Sequence, residues 1–338
     1  MKTFDIYSLG NALVDLEFEV TEKELQALGL PKNVMTLINE EQHHQLIDDL
    51  DGFKHAKACG GSGANSIAAA QVLGAKTYFT CCVGDDASGD FFYQEFRNKG
   101  VVTNLTEKNR TPAITGKCIV LLTPDTERTM CTFLGVADQY TARDIDRNAL
   151  MHSTFLYAEG YAATSTPSRL AVIAAQKIAR ENGVLTALSL SDPNVVMHAR
   201  HLLIEMMYNK PDILFSNRAE ALLFCQTDDI DEAKEHMKRY AKTFAITLGK
   251  YGSVTFDGEA FHYSTRYPTT PVDTLGAGDT FAGAFLYALS KGYSYKKANE
   301  LANIAGGVIV SKFGPRIDER DATLILEKSK MFLMTADV

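Results

Sequence analysis

Along the second half of the chain, short apolar runs alternate with longer amphipathic stretches. The pattern predicts strand 154–158, helix 167–182, strand 184–190, helix 194–208 and strand 212–215, then helices 217–225 and 230–241 and strand 243–248. Such a strand–helix rhythm is the signature of a parallel sheet covered by helices on both faces. The segment 167–182 shows the local logic. Thr166 offers a cap, Pro167 takes the first helical position with its fixed φ, and Gly183 follows the last turn. The run DDIDEAKEHMKRYAK at 228–242 starts acidic and ends basic, as a helix dipole favours. A hairpin near 253–263 leads to closing helices at 278–290, 294–311 and 320–333.

The first half reads as strands 4–10 and 16–20, helices 22–29 and 40–50, helix 63–73 stopped by Gly74, strand 76–83 and helix 87–98. Two strand-like runs, 114–122 and 128–134, are separated by the turn-rich TPDTE. The early strand pair 10–20 and this hairpin are expected to form a small sheet beyond the edge of the main one, able to act as a lid. No repeat, low-complexity tract or linker interrupts the chain. It is therefore expected to be one α/β domain over 1–338, with a lid from roughly 11–38 and 104–135.

Composition narrows the class. With 46% hydrophobic and 22% charged residues, the chain is too apolar to be disordered. No stretch approaches the ~18 apolar residues of a membrane span. The opening residues lack the basic-then-apolar order of a leader, so a cytoplasmic location and no membrane partner are expected. A formal net charge of −8 disfavours duplex nucleic acid, whose affinity rests on phosphate neutralisation. Anionic small ligands stay compatible, because a local site can be positive within a negative surface. Cys59, Cys81, Cys82, Cys118, Cys131 and Cys225 show no C-x-x-C spacing and read as reduced, buried small hydrophobes. His198-Ala-Arg-His201 lacks the glutamate and the i, i+4 spacing of a zinc-protease helix.

The strongest chemical signal is Asp273-Thr-Leu-Gly-Ala-Gly-Asp279, followed at once by an apolar helical run. Small residues at Gly276, Ala277 and Gly278 let backbone N–H groups converge at a helix N-terminus, a ready anion site. Asp279 in the first turn is either a helix cap or a base. A carboxylate beside an anion nest makes chemical sense where it must take a proton from a group attacking phosphate. Gly60-Gly-Ser-Gly-Ala-Asn65 is either a tight turn or a close approach to a polar ligand. Asn217 and Glu220, three apart after an apolar strand, form either a cap or an oxygen pair for hydrated Mg²⁺. Asp15 follows the first strand, where a carboxylate can accept hydrogen bonds from a diol. Thr247-Leu-Gly249-Lys-Tyr-Gly252 is a plain turn or a nucleotide wall. Neither G-x-G-x-x-G nor a Walker sequence is present, which disfavours a dehydrogenase or a P-loop protein.

The order GGSGANSIAAAQVLGAKTYFTCCVGDDASGD, then NRAE, then DTLGAGDTFAG, resembles the PfkB carbohydrate kinase family. The likeness covers about residues 4–330 and implies a ribokinase-like α/β/α domain with a small β-sheet lid. GNALVD, AEGYAAT, DILFSNRAEA and SKFGPR are similar to its adenosine-kinase-like branch. The resemblance implies ATP-dependent phosphotransfer to a primary hydroxyl with Mg²⁺, by a monomer or homodimer. Asp279 matches the general base, and Gly276, Ala277 and Gly278 the anion hole. Arg128 matches a basic residue on the phosphates, and Asn217 with Glu220 the organiser of Mg²⁺ through water. Asn11, Asp15, Gly60, Gly61 and Asn65 match positions that grip sugar hydroxyls. Thr247, Gly249, Gly252 and Asn303 fall on the ATP side, and the backbone at Asp273, Leu275 and Gly314 resembles a K⁺ site. Ser189 departs from the pattern, because many members carry Asn there.

Tyr161 lies where the adenosine-kinase branch stacks an aromatic on the nucleobase, and Met130, Thr132 and Leu134 form an apolar-leaning cover. The expected acceptor is a nucleoside, adenosine first, at its 5′-hydroxyl. A sugar kinase and a binding protein without catalysis are the alternatives.

Overall fold

A computed structural model describes residues 2–32, 34–53, 55–125, 127–207 and 209–335. The chain runs β1 (Phe4–Leu9), β2 (Leu13–Glu19), α1 (Glu22–Ala27), β3 (Met35–Leu37), α2 (Glu40–Asp49), β4 (His55–Gly60) and α3 (Ser62–Val72). It continues with β5 (Thr77–Thr80), α4 (Ala87–Asn98), β6 (Val102–Thr103), β7 (Gly116–Leu122), β8 (Arg128–Phe133), α5 (Arg147–Met151) and β9 (Ser153–Ala158). After a 3-10 turn at Gly160–Thr164 come α6 (Thr166–Glu181), β10 (Leu185–Ser189), α7 (Pro193–Met206), β11 (Ile213–Asn217), α8 (Arg218–Cys225) and α9 (Ile230–Met237). The chain closes with β12 (Thr243–Thr247), β13 (Ser253–Phe256), β14 (Phe261–Ser264), α10 (Ala277–Ser290), α11 (Tyr295–Ile309) and α12 (Glu319–Thr335).

Among the described residues, nine strands form the main sheet in the order β14-β13-β12-β11-β10-β9-β1-β5-β6, parallel from β12 to β6. Successive residues of each central strand enter opposite cores. Ile6, Phe155, Tyr157, Ile213 and Phe215 pack with α3, α10 and α11, whereas Tyr7, Leu156, Leu188, Leu214 and Phe244 pack with α6, α7 and α8. This two-sided burial explains why the strands read as nearly continuous apolar runs. It also gives the three-layer arrangement that the resemblance implies. The parallel strand ends and the helix starts beyond them lie at one edge, where ligands of such sheets bind.

The second sheet has five strands, ordered β3-β8-β7-β2-β4. Phe18, Ile119, Leu121 and Cys131 bury one face under Leu25 of α1 and Leu46 of α2. Asp15, Cys118, Val120, Met130 and Thr132 present the other face to a cavity.

Several boundaries correct the sequence reading. Strands β3, β4 and β6 and helix α5 are unpredicted. The sequence HAKACG of β4 has little intrinsic strand preference, and it is held by antiparallel pairing with β2. Residues 104–113, expected in the lid, stay with the main sheet: Asn104 pairs its side-chain amide with Cys81, and Thr111 bridges Gly84. Ser165, not Thr166, precedes α6, and its hydroxyl donates to the Asp138 carbonyl at 2.6 Å rather than capping the helix. Among the described residues, no helix is long and apolar enough to cross a membrane.

Candidate active site

Helix α10 begins at a left-handed glycine. Gly276 has φ 72°, and a Cβ there would lie 2.4 Å from the Pro315 carbonyl oxygen, so only glycine fits. Nothing lies within 4 Å of the position a Gly278 Cβ would take, which leaves the first turn open to a central cavity. Asp279 does not cap its own helix. Its Oδ1 accepts from Ser62 Oγ at 2.6 Å and its Oδ2 from Asn65 Nδ2 at 3.1 Å, both on α3. Asn65 Oδ1 in turn accepts from Arg316 Nε at 2.8 Å. Burial pushes the Asp279 carboxyl up to about 6, while the two hydrogen bonds and the Arg316 charge hold it back. A carboxylate poised near neutrality can accept a proton.

Below Asp279 lies a cavity of about 320 Å³ between the small sheet and α7. One end is polar, with Asn11, Asp15, Asn65 and Glu159. The body is largely apolar: Met35, Val120 and Met130 of the small sheet and Leu134 just after it face Tyr161, Val195 and Ala199, with Thr132, Thr164, Asp192, Asn194 and His198 as polar groups among them. Asn11 Oδ1 is buried and finds no hydrogen-bond partner among the described residues. An orphan acceptor inside a cavity is a place for a ligand donor. Asp15 is only 7% exposed, and burial pushes its carboxyl up to about 7. Gly60 makes room for it, since a Cβ there would sit 2.1 Å from Asp15 Oδ1. Gly61, at φ 97°, crosses the Asn11 carbonyl as closely.

The central cavity, about 590 Å³, joins the first at Ser62, Leu275 and Asp279. Among the described residues, Glu127, Asp192, Glu220, Asp273 and Asp279 line it against one cation, Arg128. Such an excess of carboxylates repels phosphate unless a cation joins them; among the described residues no three His, Cys, Asp or Glu side chains are grouped so as to hold a metal ion, so a Mg²⁺ ion here would keep most of its water. Asn217 and Glu220 form a full capping box at the start of α8, and the Glu220 oxygens also accept from Asn217 N and Nδ2 at 2.9 and 2.6 Å. The pair thus caps α8, and it also lines the central cavity. Burial pushes the Glu220 carboxyl up to about 7, while the hydrogen bonds from Asn217 hold it back. Ser189, at the end of β10, lines the same cavity and accepts from Ser191 N at 3.1 Å. Arg128 pairs with Asp273 at 2.7 Å and Glu17 at 3.2 Å. Asp273 also accepts from the backbone N–H of Leu275 at 3.0 Å and of Gly314 at 2.9 Å.

A third cavity of about 340 Å³ continues past Thr247, Ala277 and Gly278. Gly249, Gly252 and Asn303 line it, with Lys250 and Arg266 as its charged groups. It carries positive charge where the central cavity carries negative. The Asn303 amide also donates to Ser253 Oγ and to the Asn299 carbonyl. A larger groove of about 760 Å³, by Glu19, Glu24 and Phe53, shares none of these residues.

Every expected site residue therefore lies on this chain of cavities or touches its walls; Gly60 and Gly314 act through Asp15 and Asp273. Sequence reading missed four contributors: Ser62, Glu159, Asp192 and Arg316. Glu159 stands directly after an apolar strand, and a charge in that place was the available signal.

Comparison with known proteins gives the class to which this groove belongs. Residues 33–322 match the pfkB family carbohydrate kinase model, and the chain belongs to that family. It is accordingly a phosphotransferase acting on a hydroxyl group, with ATP as the phosphoryl source the family implies. A probable sugar kinase from Rhizobium etli superposes with a TM-score of 0.90 at 30% identity, covering 97% of this chain and 99% of its own. An adenosine kinase from Sinorhizobium meliloti gives 0.88 at 31%, over 96% and 99%. A 5-dehydro-2-deoxygluconokinase from Geobacillus thermodenitrificans is 28% identical over 81% of this chain and 84% of its own.

Proposed function

We propose that the protein phosphorylates a nucleoside, adenosine first, at the 5′-hydroxyl, with the acceptor in the 320 Å³ cavity and the nucleotide along the other two. The observation that carries this reading is the division of the acceptor cavity. Polar groups that suit ribose hydroxyls sit at the Asp279 end, and an apolar slot with Tyr161 on its wall suits a flat base.

In this reading Asp279 takes the proton of the attacking hydroxyl, and the N–H groups of Gly276, Ala277 and Gly278 face the developing phosphoryl charge. Arg128 steadies the phosphates, and closure of the small sheet excludes water. Asn217 and Glu220 would hold Mg²⁺ through water, and the ion would supply positive charge for the phosphates. The Asp273 carboxylate is committed to Arg128, Leu275 and Gly314, so a K⁺ ion there would rest on carbonyl oxygens. Stimulation by K⁺ over Na⁺ tests that part separately.

A sugar kinase is the second reading, favoured by the 5-dehydro-2-deoxygluconokinase relatives. ADP release with Mg²⁺ across nucleosides, ribose, fructose and 5-dehydro-2-deoxygluconate separates the two. The nucleoside reading requires kcat/KM for adenosine to exceed that for every free sugar. A sugar that matches it overturns the assignment.

A further inference from the structure

Four chain crossings tie the small sheet to the main domain: residues 10–12, residue 61, residues 111–115 and residues 134–136. They meet in pairs. A Cβ on Gly61 would lie 2.1 Å from the Asn11 carbonyl oxygen, and one on Gly135 would lie 2.3 Å from that of Ile114. One carboxylate of the main domain sits at each pair. At the second, Asp86 accepts from Thr115 N at 3.0 Å and Thr115 Oγ1 at 2.6 Å. At the first, Glu159 Oε1 accepts from Asn11 N at 2.7 Å and Oε2 accepts from Gly63 N.

Glu159 is fully buried, and no ion pair to it exists among the described residues. A Cβ on Gly10 or Gly63 would approach its carboxylate to 3.2 or 2.9 Å, so both glycines admit it. A buried carboxyl group that spends each oxygen on a separate backbone segment joins those segments, most strongly when it is ionised, because charge-assisted hydrogen bonds exceed neutral ones. Asn11 lies on one joined segment and Asn65 within a helical turn of the other, while Asp15 lies further along β2, the strand that the first segment enters.

We propose that Glu159 is a positioning residue. By holding the Asn11 and Gly63 amides together, it fixes the crossing from which Asn11, Asp15 and Asn65 reach the acceptor. The proposal rests on the assignment of the 320 Å³ cavity to the acceptor, whichever acceptor that is.

Glu159→Gln keeps the shape but turns an NH₂ group toward one of the two N–H donors. Glu159→Asp keeps the charge with a shorter reach and serves if the first variant does not fold. Amide hydrogen exchange of the full chain is followed over segments 8–14, 60–66 and 111–117, with KM for the acceptor and for ATP. The expected result is exchange faster by about tenfold in the first two segments alone, with KM for the acceptor raised by about tenfold and KM for ATP unchanged. Unaltered exchange in the first two segments overturns the proposal. So does equal acceleration in all three, or an equal rise in both KM values. Selective loosening without a nucleoside preference upholds the positioning role and sinks only the substrate reading.

Discussion

Ser62 Oγ donates to Asp279 Oδ1 across 2.6 Å, joining the first turn of α3 to the first turn of α10. The bond favours the ionised carboxylate and opposes the burial that raises it. Ser62→Ala should therefore push the Asp279 carboxyl above about 6. A base must be unprotonated, so activity rises with pH through this value. The variant should lose several-fold in kcat/KM near pH 6.5 and recover most of it near pH 8.5. A loss of equal size at both pH values would assign Ser62 to binding instead.

Mg²⁺ dependence should follow Glu220. Asp15, Glu159 and Glu220 are pushed up to about 7 and Asp279 to about 6, all by burial. Carboxyls raised in the folded state contribute stability below about pH 4, and that contribution is lost as pH rises through 6 to 7. A cation beside Glu220 restores part of it. The rise in Tm on adding Mg²⁺ and a nucleotide should be larger at pH 8 than at pH 5.5. In Glu220→Gln most of that difference should vanish. An undiminished difference places the ion elsewhere.

Tyr161 lines the acceptor and central cavities, and its hydroxyl donates to Asp192 at 3.4 Å. Tyr161→Ala should raise KM for adenosine by about tenfold, the equivalent of about 1.4 kcal/mol for a stacked ring. KM for ATP should stay nearly constant. A parallel rise in both would make the tyrosine a packing residue.

The main sheet was legible because its strands are buried on both faces and punctuated by capped helices. The glycine-rich turns were legible too, since Gly61 and Gly276 occupy backbone conformations that few other residues adopt. The small sheet was half hidden. Its strand β4 is made by pairing with β2 rather than by local preference, and β3 is three residues long. Glu159 and Arg316 were hidden for a related reason. Their partners, Asn11 and Gly63 for one and Asn65 for the other, are far away in sequence, and only the fold brings them together.

The most direct measurement is kcat and ATP affinity of Asp279→Asn on one preparation. Asparagine keeps the size of the side chain and its acceptance from Ser62 or Asn65, but it cannot take a proton. A positioned base is worth about 10²–10⁴ in rate, so kcat should fall by that order. ATP should bind as well or slightly more tightly, because a negative charge beside the phosphates is gone. A variant that keeps more than about a tenth of the wild-type kcat removes Asp279 from catalysis.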